Sequence, residues 1–318
     1  MQFWTDYVYS LCHGSPHAPF GGVQKGGPSY FCMSLINYSK PHATALDRVK
    51  HLRSKGLIIP QPNVTAKKIE RIGYHRLRIY FLSRRQHGVA GRPFIMGTTF
   101  KDINQLYECD IKLRDACFSA VGQFEVMFRN SISETLSSTH GSHPYFEINA
   151  FKDATSRLDA VKTFTDIYKK SKDQRAKHYN DNYSTPILPP IWTMKEFLTF
   201  GAMSRIYNNL SGRHKTTISK DFGVATDEIF RNWVSCLVDL RNICAHHDRL
   251  FNRSFQKQPS TLRAATIPST GTVRNKLKAV LQCLDHMADS RGGSLNITAK
   301  VGKIIGRYPV MAPSEAGY

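Results

Sequence analysis

The sequence predicts an all-α fold, arranged as a compact multi-helix bundle. Apolar residues recur at the i, i+3, i+4 spacing of a buried helix face in several segments, as Ile229, Trp233 and Leu237 do. The period-two alternation that marks β-strands is weak throughout the chain. A hydrophobic content of 41% in 318 residues is enough to fill a core. Together these observations favour one helical domain.

Composition divides the chain into three parts. Residues 1–32 are rich in Gly and Pro and have no helical period. We expect them to be a flexible N-terminal extension that is dispensable for folding, with Met33 as an alternative native start. Residues 36–307 are expected to form the helical domain. Residues 308–318 are expected to be a frayed tail, as terminal residues often are.

The first four predicted helices cover residues 42–55, 63–72, 74–85 and 102–136. Gly56 ends the first helix as a C′ residue, Asn63 caps the second, and Gly73 separates the second from the third. A Gly-rich loop follows. Asp102 caps the fourth helix, whose inward stripe continues to about Leu136 and makes it the longest element of the fold.

The remaining predicted helices cover residues 151–180, 191–210, 216–222, 226–240, 273–288 and 295–307. A Pro-rich linker precedes the second of these. Its inward residues are expected to be Trp192, Met194, Phe197 and Leu198. Gly223 ends the third. Thr226 is the predicted N-cap of the fourth, with Asp227 and Glu228 in its first turn, where negative charge suits the helix dipole.

The charge balance points to a polyanionic partner. The chain carries a formal net charge of +20 and has a pI near 9.7. Nucleic acid is the first candidate for such a basic protein and an anionic membrane surface the second, while mere solubilisation is a weaker explanation. No run of about 18 apolar residues and no signal-peptide pattern is present, so we expect no membrane span and a cytoplasmic location.

The strongest chemical signal is residues 239–253 (DLRNICAHHDRLFNR), at the C-terminal end of the helix 226–240. On a continuing helix, Asn242, His246 and Arg249 share one stripe. Imidazole transfers protons near neutral pH, and guanidinium matches phosphate oxygens. Acid–base cleavage of a phosphodiester needs this combination. The alternative interpretation is a solvated, basic helix end.

We expect no cofactor and no bound metal. The seven cysteines are scattered without a C-x-x-C pair, so they indicate neither a zinc ribbon nor a disulfide framework. Cys109, Cys117 and Cys236 fall within apolar helical patterns and are expected in the core. His246 and His247 are candidate metal ligands only weakly, because adjacent residues point about 100° apart on a helix.

Two further basic segments are candidates for RNA contact. The first interleaves arginines with aromatic residues and contains Arg76, Arg78, Arg84 and Arg85. The second is a charge run that contains Lys169, Lys170, Lys172 and Arg175. In the alternative interpretation, the first segment places aromatics in the core with arginines at its rim, and the second is a solvated helix face.

The polar cluster and four other ordered blocks resemble the Abi-like (abortive-infection) proteins of the HEPN superfamily. In residues 241–252 (RNICAHHDRLFN), Arg241, Asn242 and His246 resemble the superfamily's signature, which is an Arg, a polar residue and then a His four to six residues after the Arg. The other blocks lie in the family's order: Lys40-Pro41 with 52–59 (LRSKGLII), 71–77 (RIGYHRL), 106–110 (LYECD) with Leu113-Arg114, and 189–192 (PPIW) with 200–204 (FGAMS). The resemblance covers roughly residues 40–253 and implies a HEPN-like core.

The resemblance implies a metal-independent endoribonuclease of phage defence or of a toxin system, in which the RNA's own 2′-hydroxyl is the nucleophile. His246 would be the general acid or base, with His247 as the alternate. Arg241 would hold the scissile phosphate and stabilise the charge that develops on it. Asn242 would orient His246 or contact the phosphate, and Arg249 would be a second phosphate contact.

The resemblance also implies partners. HEPN nucleases generally act with two motifs facing each other, and this chain has one, so a homodimer with a composite cleft is expected. The alternative is a non-catalytic RNA-binding or regulatory module held by a partner noncoding RNA. The family usually has Trp at the position of Phe251. Since an aromatic ring is kept there, we expect the packing to survive.

Overall fold

A computed structural model describes residues 41–318. The predicted N-terminal extension, residues 1–32, lies outside the described residues. The α-helices are α1 Ala45–Ser54, α2 Pro62–Ile72, α3 Tyr74–Ser83, α4 Phe100–His140, α5 Ala154–Lys170, α6 Gln174–Asn182, α7 Ile191–Met194, α8 Phe200–Asn209, α9 Gly212–Asp221, α10 Asp227–Ala245, α11 Leu277–Ser290 and α12 Ile297–Gly306. No strand longer than an isolated bridge occurs within these residues, so the all-α prediction is confirmed.

Helix α4 is the long axis around which the bundle is built. It has 41 residues and is therefore about 60 Å long. The predicted cap was wrong by three residues: Thr99 is the N-cap, and Asp102 closes a capping box by accepting from the Thr99 backbone N–H at 2.8 Å. The helix also runs past Leu136 to His140, where Gly141 ends it with a φ of 74°.

The buried face of α4 packs against α10. Phe124 and Phe128 on α4 meet Phe230 on α10 and Phe222 just after α9, and all four rings are completely buried. Trp233, also fully buried, satisfies its indole N–H by donating to the Ser260 carbonyl at 2.7 Å. This aromatic core holds α10, and hence the polar cluster at its end, against the long helix.

Two predicted helices are interrupted. The chain is extended at Ser171, so residues 151–180 form α5 and α6, each capped by an aspartate, Asp153 and Asp173. Residues 191–210 form the short α7, a 3₁₀ turn and then α8, because the Thr199 side chain caps a new helix. Trp192, predicted to face inward, is 48% exposed.

Several predicted helix starts shift because the true caps lie elsewhere. Thr44 caps α1 through a capping box with Asp47, so the helix begins at Ala45. Pro62 occupies the first turn of α2, where its missing N–H is not needed, so Asn63 is inside the helix. The predicted break at Gly73 is confirmed by its φ of 94°.

The expectation of a frayed C-terminal tail was wrong. Met311 and Ala316 are 2% and 1% exposed. The Tyr318 hydroxyl donates to the Thr298 carbonyl at 2.7 Å. Glu315 forms an ion pair with Arg84, the C-cap of α3. Residues 308–318 therefore dock on the helices, because they carry apolar and charged groups that find partners there.

Of the helices in residues 41–318, none combines the length and the apolar character that a membrane span requires.

Candidate functional site

Helix α10 carries the polar cluster at its C-terminal end. As predicted, Thr226 is the N-cap, and Asp227 and Glu228 lie in the first turn. The helix stops at Ala245, with His246 as the C-cap. Arg249 therefore lies beyond the helix, and the predicted stripe that included it was wrong.

His247 ends the helix in an unusual backbone conformation. Its φ is +54°, in the left-handed region that normally takes glycine. Its N–H donates to the Cys244 carbonyl at 3.1 Å, and the Asp248 N–H donates to the Ile243 carbonyl at 2.9 Å. These two bonds make a Schellman motif, and they turn the chain sharply so that both histidines lie exposed at its corner.

Asp110 on α4 fixes the loop that follows this corner. Its carboxylate is completely buried and accepts the backbone N–H groups of Leu250 at 3.0 Å and Phe251 at 2.8 Å. Its other oxygen accepts the Tyr80 hydroxyl at 2.6 Å and pairs with the Arg114 guanidinium. One carboxylate therefore joins α3, α4 and the loop after α10.

Phe251, which stands where the family usually has Trp, packs in the core as expected. Phe251 is fully buried, and its ring lies 5.1 Å from that of Tyr80. Burial raises the pKa of Tyr80, and the charge of Asp110 raises it further. The phenol consequently stays protonated and donates its hydrogen bond to the carboxylate across the physiological range.

A cleft of about 470 Å³ opens between α3, α4 and the corner after α10. We call it the basic cleft. Its polar lining consists of His75, Arg76, Tyr80, Arg114, His246, His247, Asp248 and Arg249. His246, His247, Arg249 and Arg76 were candidates from the sequence. His75 and Arg114 were assigned no role, although both lie in the blocks that resemble the Abi-like family.

The basic cleft is held in shape by its own arginines. The guanidinium of Arg76 donates to the His247 carbonyl, and that of Arg249 donates to the Phe251 carbonyl. Arg253 pairs with Asp248, the acidic residue of the lining. Arg76, His246 and His247 are solvent-exposed, so they can contact a ligand.

Arg241 and Asn242 lie outside the lining of the basic cleft. The Arg241 Nε is 3.9 Å from Glu125 Oε2, and its guanidinium lies 5.9 Å from the centre of the Phe118 ring. Since Phe118 and Glu125 lie 4 and 11 residues along α4 from Arg114, Arg241 sits roughly 6–17 Å along that helix from the cleft. The Asn242 side chain is exposed.

The fold uses two of the four arginines predicted to contact RNA in the α3 segment. Arg84 pairs with Glu315 and donates to the Val310 carbonyl at 2.6 Å. Arg85 stacks over the Phe94 ring at 4.0 Å. Arg78 is exposed but does not line the basic cleft. Only Arg76 of the four is therefore placed at the candidate site.

The second predicted RNA-contact segment lies on α5 and α6, away from the lining of the basic cleft. Lys169, Lys170 and Lys172 are exposed. Arg175 pairs with Asp173 at 2.8 Å and lies 5.5 Å from the centre of the Phe197 ring. The sequence suggested that these cations lie on a single helix. Because the chain breaks before α6, they are divided between α5, the connecting residues and α6.

The five cysteines within residues 41–318 lie in the core. Cys109, Cys117 and Cys236 are buried, as predicted, and so is Cys244 within the polar cluster. Burial raises the pKa of the Cys244 thiol to about 12, so it is neither a nucleophile nor a thiolate ligand at neutral pH. Within residues 41–318, no group of three or more His, Cys, Asp or Glu side chains is arranged to hold a metal ion.

Comparison with known families identifies the chain. Residues 67–252, more than half of its length, match the family described as Abi-like protein. The protein therefore belongs to the Abi-like family, and this membership supports a role in abortive infection, a form of phage resistance. The matched region contains the Asp110 anchor and the whole lining of the basic cleft. No curated protein and no solved structure gives a significant match.

Proposed function

We propose that the protein is a metal-independent endoribonuclease of the HEPN type, acting in phage defence by abortive infection or as a toxin, with the basic cleft as its reaction site. One observation carries the proposal: three imidazoles and three guanidinium groups surround a single cleft. The imidazoles can transfer protons at neutral pH, and the guanidinium groups can bind a phosphodiester.

The reaction that these groups support is internal transesterification of RNA. A histidine acting as base takes the proton of the 2′-hydroxyl, whose oxygen attacks the adjacent phosphorus. The P–O5′ bond breaks, and a second, protonated imidazole gives its proton to the leaving 5′-oxygen. His246 and His247 are the residues proposed for these steps, and His75 is a third imidazole in the same cleft. The products end in a 2′,3′-cyclic phosphate and a 5′-hydroxyl.

Arginines supply the electrostatic part of the reaction. Arg114 is 5% exposed and fixed by Asp110, so its guanidinium cannot reorganise freely during the reaction. Preorganised donors of this kind stabilise the charge that develops on the phosphate. Arg76 and Arg249 lie at the same cleft and are proposed as further phosphate contacts.

A homodimer would bring Arg241 and Asn242 into this chemistry. Next to Arg241, the outer face of α4 exposes Phe118 at 45% and Val126 at 63%, with Gly122 between them. Apolar side chains that flank a small residue allow a second helix to pack closely. A second copy seated on this face would place two polar clusters on either side of a two-fold axis, as the resemblance to HEPN nucleases implies.

Cleavage of total bacterial RNA in the presence of EDTA tests the proposal. We expect His246→Ala and Arg76→Ala each to slow cleavage, the histidine change by about 10²- to 10⁴-fold. Arg78→Ala is the matched control, because Arg78 is an exposed arginine on the same helix that does not line the cleft. Cleavage that EDTA abolishes would contradict the metal-independent mechanism.

The competing function is an RNA-binding module held by a partner noncoding RNA. It predicts salt-sensitive RNA binding in the wild-type protein and in all three variants, without cleavage in any of them. That result would contradict the proposed endoribonuclease activity and would leave the basic cleft as an RNA-binding surface.

A further inference from the structure

A second cavity lies at the far end of the long helix. It has a volume of about 910 Å³ and opens between α6, the chain just after α4 and the Pro-rich segment 183–193. We call it the aromatic cavity. The residues that matter for its chemistry are Gln174, Arg175, His178, Tyr179, Tyr183 and Trp192.

The aromatic cavity exposes large aromatic side chains to solvent. Trp192 is 48% exposed and Tyr183 is 56% exposed. The Tyr183 ring is stacked on that of Tyr179, with centroids 5.0 Å apart and planes inclined by 29°. Large aromatic side chains are normally buried, so two exposed ones at a single cavity indicate a surface for a flat ligand.

The wall that presents these rings is held by hydrogen bonds. The Tyr179 hydroxyl donates to the Pro186 carbonyl at 2.8 Å. The Nε2 of His143 lies 3.1 Å from the Leu188 carbonyl oxygen. The Ile191 N–H donates to the Ser142 carbonyl at 2.9 Å. The backbone of the segment is therefore fixed to α6 and to the chain after α4, so little of it has to be ordered on binding.

Several cations lie at and next to the aromatic cavity. Arg175 and His178 line it, and Lys172 and Lys177 are exposed in the same stretch of chain. Asp173 and Glu196 offset part of this charge, because their carboxylates lie 2.8 Å and 3.9 Å from the Arg175 guanidinium, but the Arg175 side chain is still 51% exposed. Cations next to exposed rings are the combination that binds single-stranded nucleic acid, through the phosphates and the base faces respectively.

The aromatic cavity is distant from the basic cleft. Arg114 lines the cleft, and His140, two residues before the cavity's Ser142, is 26 positions further along the same α-helix. At 1.5 Å per residue, the two sites lie about 40 Å apart along α4. A ligand group in the aromatic cavity thus cannot take part in the reaction at the cleft of the same subunit.

We propose that the aromatic cavity binds bases of a single-stranded segment of RNA, which stack on Trp192 and Tyr183 while Arg175 and His178 contact the backbone. The RNA is the proposed substrate, so the identity of the ligand rests on the proposed function, but binding at the cavity does not depend on cleavage. The cavity would select RNA with an unpaired segment, because bases inside a duplex cannot present their faces.

The test measures binding with cleavage removed. A fluorescein-labelled single-stranded RNA of mixed sequence is titrated into His246→Ala protein, and into the same protein carrying Trp192→Ala or Trp192→Phe. We expect the alanine change to weaken binding at least about 5-fold, as the loss of one stacked base does, and the phenylalanine change to weaken it far less. An RNA duplex of the same length serves as the control, and its affinity should change little.

Tryptophan fluorescence gives a second readout that a purely structural role would not move. The chain has three tryptophans, Trp4, Trp192 and Trp233. Stacking should quench the emission of Trp192, and this part of the quenching should vanish in Trp192→Phe protein although it still binds. Equal affinity in the alanine variant, or an equal loss for single strand and duplex, would overturn the proposal. Neither result bears on cleavage at the basic cleft, which the EDTA assay measures separately.

Discussion

Replacing Asp110 by alanine should unfold the loop that shapes the basic cleft. The change leaves the Arg114 guanidinium, which is 5% exposed, without its ion-pair partner. It also leaves the backbone N–H groups of Leu250 and Phe251 without their acceptor. Removing one partner of a buried ion pair costs about 3–5 kcal/mol. Orphaned buried N–H groups add to that cost. We therefore expect the free energy of unfolding to fall by at least about 3 kcal/mol.

A double substitution separates the two contributions. In Asp110→Ala/Arg114→Met protein the unpaired buried charge is gone, while both backbone N–H groups still lack an acceptor. This protein should be more stable than the Asp110→Ala single variant by about 1 kcal/mol or more, because residues that share a network do not behave additively. Asp115→Ala is the matched control, since Asp115 is an exposed aspartate on the same helix.

Urea unfolding followed by circular dichroism is the appropriate assay, with an unchanged slope confirming that the same surface is exposed in each variant. A loss below about 1 kcal/mol in Asp110→Ala protein would refute the view that this carboxylate anchors the loop.

Three further predictions concern the histidines and the exposed face of α4. His247→Gly should raise the free energy of unfolding by about 1 kcal/mol in thermal or urea unfolding, because glycine adopts the observed φ of 54° without strain. An unchanged or lower stability would contradict this. RNA cleavage by the same variant should fall if the imidazole acts in the reaction. Burial, and then the charge of His140, lower the pKa of His214, which lies 2.9 Å from His140 through the two Nε2 atoms. Below about pH 6.5 the unfolded chain therefore binds more protons than the folded chain, so stability should fall as the pH drops below that value. In melting temperatures measured from about pH 8 to about pH 5, His214→Gln protein should show a smaller fall than the wild-type protein. Phe118→Asp with Val126→Asp should convert a dimer to a monomer in analytical ultracentrifugation without lowering the melting temperature of the subunit, and a wild-type monomer at micromolar concentration would refute the proposed interface.

Hydrophobic periodicity located most of the helices, since a buried face must repeat every three to four residues, but it merged α5 with α6 and α7 with α8. It located α4, α10 and α11. It placed helix ends poorly, because these depend on single side chains. Thr99 and Thr199 each cap a helix through a hydroxyl, and the sequence offers many such residues that cap nothing.

Only some residues of the candidate site were predicted, and its shape was not: Arg241 and Asn242 lie outside the basic cleft, whereas His75 and Arg114 line it without having been assigned a role. His246, His247 and Arg249 were identified from the polar cluster, but their placement assumed that the helix continued. The Schellman turn at His247 could not be read from the sequence, because a histidine rarely takes the conformation that glycine usually provides.

The anchor of the site was also beyond sequence reasoning. Asp110 lies 140 residues before Leu250, and nothing in local spacing links a helical aspartate to a distant loop. A signal did exist: a charged residue stood in the inward stripe of α4, and buried charges are rare unless they are paired. The same argument applies to Arg114, which lies one turn further along and shares that burial.

The chemical nature of the RNA ends tests the central claim most directly. RNA is incubated with the purified protein in EDTA, and the termini of the fragments are identified by mass spectrometry, beside His246→Ala protein as the control. We expect 2′,3′-cyclic phosphate and 5′-hydroxyl ends, formed by the wild-type protein alone. Ends with a 3′-hydroxyl and a 5′-phosphate would show that water is the nucleophile, and would contradict the reaction assigned to the basic cleft.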